Sequence, residues 1–250
     1  MESNKIALIT GATSGIGKAT ATLLAQHGYN VIACGRREDR LLELKDQLDT
    51  EVLPLVFDIR DRAAVMEILT TIPESWKAID VLVNNAGNAH GLSPIQSGNV
   101  DDWEAMIDIN VKGLLYVSRT IIPGMVERGR GHVVNIGSIA GKEVYANGNV
   151  YCASKYAVDA LNQGMRMDLN KEGIRVTAIN PGLVETEFSI VRFKGDKERS
   201  KKVYNGYKPL YPEDIAELVH YVISAPPHVM IADLTVFPTA QASATIVNRS

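Results

Sequence analysis

The chain is poor in cysteine: Cys34 and Cys152 are the two it has in 250 residues. Two cysteines make neither a disulfide framework nor a metal cluster, so both read as small apolar core residues. Charge imbalance is also small. A net charge of -3 and a pI of about 6.0 leave no basic excess of the kind a nucleic-acid footprint needs. No apolar run is long enough to span a bilayer. The start, "MESNK", runs into an apolar segment without the charged, apolar and cleavage regions of a signal peptide in series. Repeats, low-complexity tracts and interdomain linkers are missing as well. The expectation is a cytoplasmic protein without a metal, acting on a small molecule rather than on nucleic acid or membrane, with residues 1–250 forming one domain.

Hydrophobic residues make up 46% of the chain, enough for a large core without disulfides or metals. Seven short runs rich in Val and Ile stand out: "KIALIT" (5–10), "NVIACG" (30–35), "VLPLVF" (52–57), "DVLVNN" (80–85), "HVVNIG" (132–137), "IRVTAIN" (174–180) and "DLTVFP" (233–238). Helix-period stretches lie between most of them. This alternation predicts an α/β protein, a doubly wound and mainly parallel seven-stranded sheet with helices on both faces.

From Asp101, apolar residues recur at Trp103, Met106, Ile107, Leu114, Val117 and Ile121, one face of a single helix. Asn110 falls on that face. An unsatisfied buried amide costs about 1–3 kcal/mol, so Asn110 is either a structural hydrogen-bonding group or a site group. A second helix is expected to start near Pro212, with Glu213 and Asp214 behind it and Ile215, Leu218, Val219 and Val222 as its buried stripe.

The first run leads into Thr10-Gly11-Ala12-Thr13-Ser14-Gly15-Ile16-Gly17 and then a helical stretch. Glycines there permit a tight turn and close approach of backbone to phosphate, and the helix behind them offers free N–H groups and a positive dipole end. The spacing Gly-x-x-x-Gly-x-Gly differs from the commoner G-x-G-x-x-G, and a plain strand-to-helix turn is the alternative; its place after the first strand favours a Rossmann-type site. The second run ends at Cys34-Gly35-Arg36-Arg37. An acid at this point would bind the ribose 2′-hydroxyl of NAD. Two guanidiniums suit the 2′-phosphate of NADP instead, unless they merely begin the charged helix "REDRLLELK".

Two Tyr-x-x-x-Lys pairs occur, "YCASK" (151–155) and "YNGYK" (204–208). Residues four apart share a helical face, where an ammonium stabilises a tyrosinate. Gly206 and Pro209 argue against a helix around Tyr204 and Lys208. The stretch from Tyr151 has no proline and carries an apolar stripe at Val158, Leu161, Met165 and Leu169, so Tyr151 and Lys155 are expected to share a face. Ser138 closes the preceding strand, on the edge where open parallel sheets bind ligands. A chance pair on a helix face is the alternative to catalysis.

Taken together, "TGATSGIG", "NNAG" (84–87), Asn110, Ser138 and "YCASK" resemble the short-chain dehydrogenase/reductase family over essentially the whole chain. The resemblance implies roles. Tyr151 exchanges a proton with the substrate oxygen. Lys155 lowers the tyrosine pKa and holds the nicotinamide ribose. Ser138 polarises the carbonyl, and Asn110 holds a water linking Lys155 to solvent. Asp58, with Ile59 beside it, contacts adenine; Asn85, Ala86 and Gly87 lie by the adenosine ribose. Pro181, Gly182, Val184 and Thr186 meet the nicotinamide carboxamide. Bringing a tyrosine from about 10 to near 7 takes about 4 kcal/mol of preference for the charged form, which an ammonium and an oxidised nicotinamide can supply.

Within that family, "GRR", "PGMVERGRGHVVNIGS", "PGLVETEFS", "VRFKGD" and "PTAQ" resemble the NADP-dependent 3-hydroxy acid dehydrogenases that act on serine and allo-threonine. The implied reaction is reversible oxidation of a 3-hydroxy acid. Rival readings are a carbonyl or 3-oxoacyl reductase on the same scaffold, or a non-catalytic NADP-binding protein. A substrate carboxylate needs a cation; Arg192 and Lys194 are the candidates, with two surface charges of a lid as the alternative. Met230 stands where this branch is expected to carry asparagine, altering either a pocket wall or a subunit contact. The ending "FPTAQASATIVNRS" resembles a tail packed between subunits, which implies a homotetramer.

Overall fold

The structure is a computed structural model that describes residues 5–250. All seven expected strands form: β1 (Ile6–Thr10), β2 (Asn30–Gly35), β3 (Val52–Val56), β4 (Ile79–Asn84), β5 (Gly131–Ile136), β6 (Ile174–Pro181) and β7 (Asp233–Val236). They make one sheet, parallel throughout, in the order β3-β2-β1-β4-β5-β6-β7. Parallel neighbours need crossovers, and helices supply them: α1 (Gly15–Gln26), α2 (Glu38–Gln47), α3 (Arg62–Thr70), α4 (Val100–Ile107), α5 (Leu114–Arg128), α6 (Asn149–Leu169) and α9 (Pro212–Ser224). Two short helices, α7 (Phe188–Arg192) and α8 (Lys197–Lys202), lie between β6 and α9.

Side chains alternate along each strand, so each face has its own core. Ala7 and Ile9 of β1 join Leu24 of α1, Leu41 of α2 and Ile215 and Val219 of α9 on one side. Ile6 and Leu8 join Val65 of α3, Val117 of α5 and Leu169 of α6 on the other. Removing such a fully buried leucine costs about 2–5 kcal/mol. Pro54 sits in β3, at the sheet edge, the place where a strand tolerates a residue without an N–H.

The order reverses at β1, which has β2 on one side and β4 on the other. Helices leave the carboxyl ends in opposite directions there and open a crevice, the usual ligand position of such sheets.

The single helix expected from Asp101 is corrected to three pieces. Asn99 caps α4 by accepting from the Asp102 N–H at 3.0 Å, and a π-helical stretch, Asp108–Gly113, separates α4 from α5. A π turn fits in an extra residue. It places Asn110 inside, 2% exposed. Gly113 in the same stretch is pressed against Ile59, which an added Cβ would meet at 2.9 Å. The start of α9 is as expected: Pro212 is its first residue, and the Tyr211 N–H donates to the Asp214 carboxylate at 2.7 Å.

Near the amino end of β5, His132 is buried and its Nε2 lies 2.8 Å from Thr177 Oγ1. Thr177 spends its own proton on the Ile231 carbonyl at 2.7 Å, so the imidazole must be the donor. Nδ1 is then bare, with no partner among the described residues. Burial, helped by Arg175, pushes the His132 pKa down to about 3.

Candidate active site

The turn after β1 is backbone packed on backbone. Gly11 and Gly15 have φ of +68° and +52°, a region that favours glycine. At Gly17 an added Cβ would strike the Gly11 carbonyl oxygen and Asn85 Nδ2 far inside van der Waals contact. Asn85 and Ala86 brace the turn: both N–H groups donate to Thr10 Oγ1 at 3.0 Å, and Asn85 Nδ2 donates to the Thr10 carbonyl at 2.8 Å. Ser14 stands at the N-cap of α1 but gives it no side-chain hydrogen bond. The first N–H groups of α1 are therefore uncapped by it, beside a cavity of about 470 Å³ lined by Gly11, Thr13, Ser14, Gly15 and Ile16. Uncapped donors with a positive dipole end fit a dinucleotide pyrophosphate.

Arg36, Arg37, Asp58, Ile59, Asn85, Ala86 and Gly87 line the same cavity. The two arginines differ. Arg36 is 60% exposed at its side chain and reaches Asp58 only at 3.7 Å; Asp58 is gripped by Arg60 at 2.6 Å. The Arg60 hydrogen bonds, working against partial burial, hold the Asp58 carboxyl below its usual range. Arg37 donates to Thr13 Oγ1 and Ser14 Oγ at 2.8 Å each and to Glu187 at 2.9 Å.

At the other end of the cavity stand Ser138, Tyr151 and Lys155. Ser138 follows β5 in extended backbone and accepts from the Ala140 N–H at 3.1 Å. Tyr151 and Lys155 sit one turn apart near the start of α6, both buried. Lys155 Nζ donates to the Ile136 carbonyl at 3.0 Å. Burial lowers its pKa to about 8. Burial also raises that of Tyr151, Tyr145 adds to the rise, and Ser138 and Arg192 pull the other way. The chain alone thus leaves the phenol protonated at neutral pH.

Besides its apolar face, a buried amide ladder ties α6 to the sheet. Asn84 donates to Ser118 Oγ at 3.0 Å and to Asn135 Oδ1 at 2.9 Å, and Asn135 donates to Asn162 Oδ1 at 2.9 Å. It runs from β4 across β5 to α6, the helix of Tyr151 and Lys155. Asn110 adds a second tie. Its Oδ1 accepts from the Asn88 N–H at 2.8 Å, and its Nδ2 donates to the Asn88 carbonyl at 2.8 Å and to Ser154 Oγ at 3.0 Å. Gly87 lies between Asn110 and Lys155: a Cβ there would be 2.9 Å from Asn110 Oδ1 and 3.6 Å from Lys155 Nζ.

Pro181, Gly182, Val184 and Thr186 also line the cavity, with Gly182 N–H bonded to the Val236 carbonyl at 2.8 Å. Arg192, the last residue of α7, reaches in. Its Nε donates to the Gly91 carbonyl at 3.3 Å and its Nη2 to Tyr145 Oη at 3.0 Å. The guanidinium carbon is 5.5 Å from the centroids of both the Tyr145 and Tyr151 rings. Lys194 is not part of the cavity lining. It pairs with Asp102 at 3.0 Å and is 60% exposed. Met230 is outside the lining as well; its sulfur accepts from the Val176 N–H at 3.4 Å. Tyr204 and Lys208 share no helix: 203–206 are turns, and Tyr204 Oη donates to the Val184 carbonyl at 2.9 Å. Tyr145 and Glu187 are cavity residues that motif reading does not find. Tyr145 stands in a loop of Gly, Ala and Asn with no spacing signal. Glu187 is separated from its arginine partner by 150 positions.

A glycine cradle at the switch point of a parallel sheet, with a buried Tyr–Lys pair beside it, defines the class of nicotinamide-dinucleotide oxidoreductases. The chain belongs to the short chain dehydrogenase family, whose profile matches residues 5–197. It is 50% identical over 247 residues to the NADP-dependent 3-hydroxy acid dehydrogenase YdfG of Salmonella typhimurium, covering 98% of this chain and 100% of that one. It is 44% identical to sulfoacetaldehyde reductase 2 of Chromohalobacter salexigens, covering 98% of each. Among solved structures, the closed form of serine dehydrogenase complexed with NADP+ matches with a TM-score of 0.94 at 48% identity, over 98% of this chain and 100% of that one.

Proposed function

We propose that this NADP-dependent oxidoreductase reversibly oxidises small 3-hydroxy acids, such as L-serine, allo-threonine or 3-hydroxypropionate, to the 3-oxo acids. The observation that carries the reading is Arg192, a cation held 5.5 Å from the ring of Tyr151 by Tyr145 and Gly91. With two of its donors spent on the protein, the guanidinium keeps others for a carboxylate. A substrate whose acid group rests there brings its 3-hydroxyl near Tyr151.

The glycine turn and the α1 N-terminus hold the dinucleotide diphosphate, Arg36 and Arg37 the 2′-phosphate, Asp58 and Ile59 the adenine side, and Lys155 the nicotinamide ribose. NADP supplies the hydride acceptor. Tyr151 takes the hydroxyl proton during oxidation and returns it during reduction. Ser138 donates a hydrogen bond to the developing alkoxide. Lys155, charged at neutral pH, stabilises the tyrosinate that the buried site alone disfavours. Asn110 keeps the Lys155 end of α6 in place and, in this reading, the water beside it. With L-serine the product is 2-aminomalonate semialdehyde, which readily loses CO2.

Identity to a sulfoacetaldehyde reductase favours a second reading, reduction of an aldehyde carrying a sulfonate. The same guanidinium would receive that anion. The protein is further taken to act as one domain, in the cytoplasm, with Cys34 and Cys152 both free, and as a homotetramer. A monomer in light scattering would overturn the last point.

The experiment is turnover of purified protein with NADP and each hydroxy acid, with NADPH and sulfoacetaldehyde, and with a simple secondary alcohol. Activity on the acids and not the alcohol is expected. Activity on the alcohol alone would discard the anion pocket. A parallel series with NAD, expected to be slow, tests the arginine pair.

A further inference from the structure

Arg37 has nearly all its donors engaged, and one of the partners is charged. Its Nε and Nη2 go to the Thr13 and Ser14 hydroxyls, and its Nη1 goes to Glu187 Oε2 at 2.9 Å. Arg40 Nη1 holds the other oxygen, Oε1, at 2.7 Å. Burial works against the charge on Glu187, but the hydrogen bonds from Arg40 and Arg37 outweigh it and keep its carboxyl below the usual range. A carboxylate therefore lies across two guanidiniums beside the cavity that Arg36, Arg37, Thr13 and Ser14 line. A phosphate and a carboxylate seek the same donors in the same geometry. Arg36, with its long contact to Asp58, is the less committed of the pair.

We propose that Glu187 tunes the affinity of the chain for a 2′-phosphorylated dinucleotide, by competing with the phosphate for Arg37. The proposal rests on the NADP reading above and goes beyond it by adding an acid that acts against the phosphate. Glu187 either gives up Arg37 to the phosphate or stays as a like charge beside it, and both options weaken binding. The ribose 2′-hydroxyl of NAD meets no such cost. Glu187 also has a position that matters for the rest of the cleft. It directly precedes α7, the helix that ends at Arg192, and follows Thr186, whose side chain lies 3.2 Å from where a Cβ of Gly15 would be. The ion pairs to Arg37 and Arg40 thus add to the ties at the start of that helix, where the Phe188 N–H also donates to Thr186 Oγ1 at 3.1 Å.

The test is the binding of 2′,5′-ADP and of ADP, probes without a nicotinamide, to the wild-type protein and to Glu187→Gln, by calorimetry. Both partners of the pair are partly exposed, so the effect is of the size of a surface charge pair. The variant is expected to bind 2′,5′-ADP roughly fivefold more tightly than wild type, with ADP unchanged. Unchanged affinity for 2′,5′-ADP in the variant would overturn the proposal. Weaker affinity would overturn it too, showing instead that Glu187 orients Arg37 for the phosphate. Failure of the NADP reading has a different signature: wild type itself would then bind the two probes equally, and the proposal would fall with it. Glu187→Ala, which removes the same charge and a different shape, should move 2′,5′-ADP binding in the same direction.

Discussion

The two ends of the cleft are built from different material. At the cofactor end the chain offers backbone: the Gly11 and Gly15 turn, the start of α1, and Asn85 and Ala86 bracing it from behind. At the substrate end it offers side chains from separate elements, Ser138 after β5, Tyr151 from α6 and Arg192 from α7. On the function proposed above, the first end binds a feature common to all dinucleotides, and it does so through backbone packed too tightly for an added Cβ at Gly17. On the same proposal, the second reads the substrate, and it does so through the side chains that reach in. One end should therefore suffer from added atoms and the other from lost ones.

The largest expected effect is at the substrate end. Tyr151→Phe removes the oxygen proposed to carry the proton and should lower kcat by about 10²–10⁴-fold, with NADPH binding by fluorescence nearly unchanged. A loss of cofactor binding instead would erase the division between the ends. Next comes Arg192→Ala, which deletes a charge-assisted contact worth about 1.5–3 kcal/mol. It should raise KM for L-serine by roughly 10–100-fold and leave NADP affinity alone. An unchanged KM rejects Arg192 as the carboxylate site. At the cofactor end, Gly17→Ala adds one methyl against the Gly11 carbonyl and Asn85. Thermal or urea denaturation should show a cost of about 1–3 kcal/mol, together with weakened NADP binding. Tolerance of the methyl would mean the turn is looser than its contacts imply.

The smallest effect belongs to neither end. His132 is held neutral in the sheet with a pKa near 3, against 6.5 for the free group. Between those values the unfolded chain binds the proton and the folded chain does not, so this contribution is complete above pH 6.5 and shrinks as pH falls toward 3. Near pH 5 the loss is about 1–2 kcal/mol. His132→Gln keeps a donor toward Thr177 and cannot be protonated, so urea melts as a function of pH should show a flatter acid limb. An unaltered limb would place the acid sensitivity elsewhere.

How much of this was legible in the sequence follows the same division. The glycine turn, the arginine pair and the Tyr151–Lys155 spacing are local, and local spacing is what periodicity and turn chemistry record. The strands were legible because burial on both faces makes each a run of apolar residues. The Asn84–Asn135–Asn162 ladder joins residues 51 and 27 positions apart, and nothing short-range marks an asparagine in a strand as one rung of it. Tyr145 acquires meaning only once the loop after β5 meets Arg192, and Glu187 only once the segment after β6 meets Arg37 and Arg40 after β2. The π turn escaped for another reason: a single added residue barely disturbs an apolar pattern whose own period is 3.6, so Trp103 to Ile121 still looks like one helix.

Pro54 has a consequence for life in a crowded solution. An open sheet edge invites strands from partly folded neighbours to zip onto it, the first step toward aggregates. At β3, five residues long with proline in the middle, an incoming strand finds a donor missing halfway along. A residue that contributes nothing to catalysis thus discourages the sheet from growing past its own boundary.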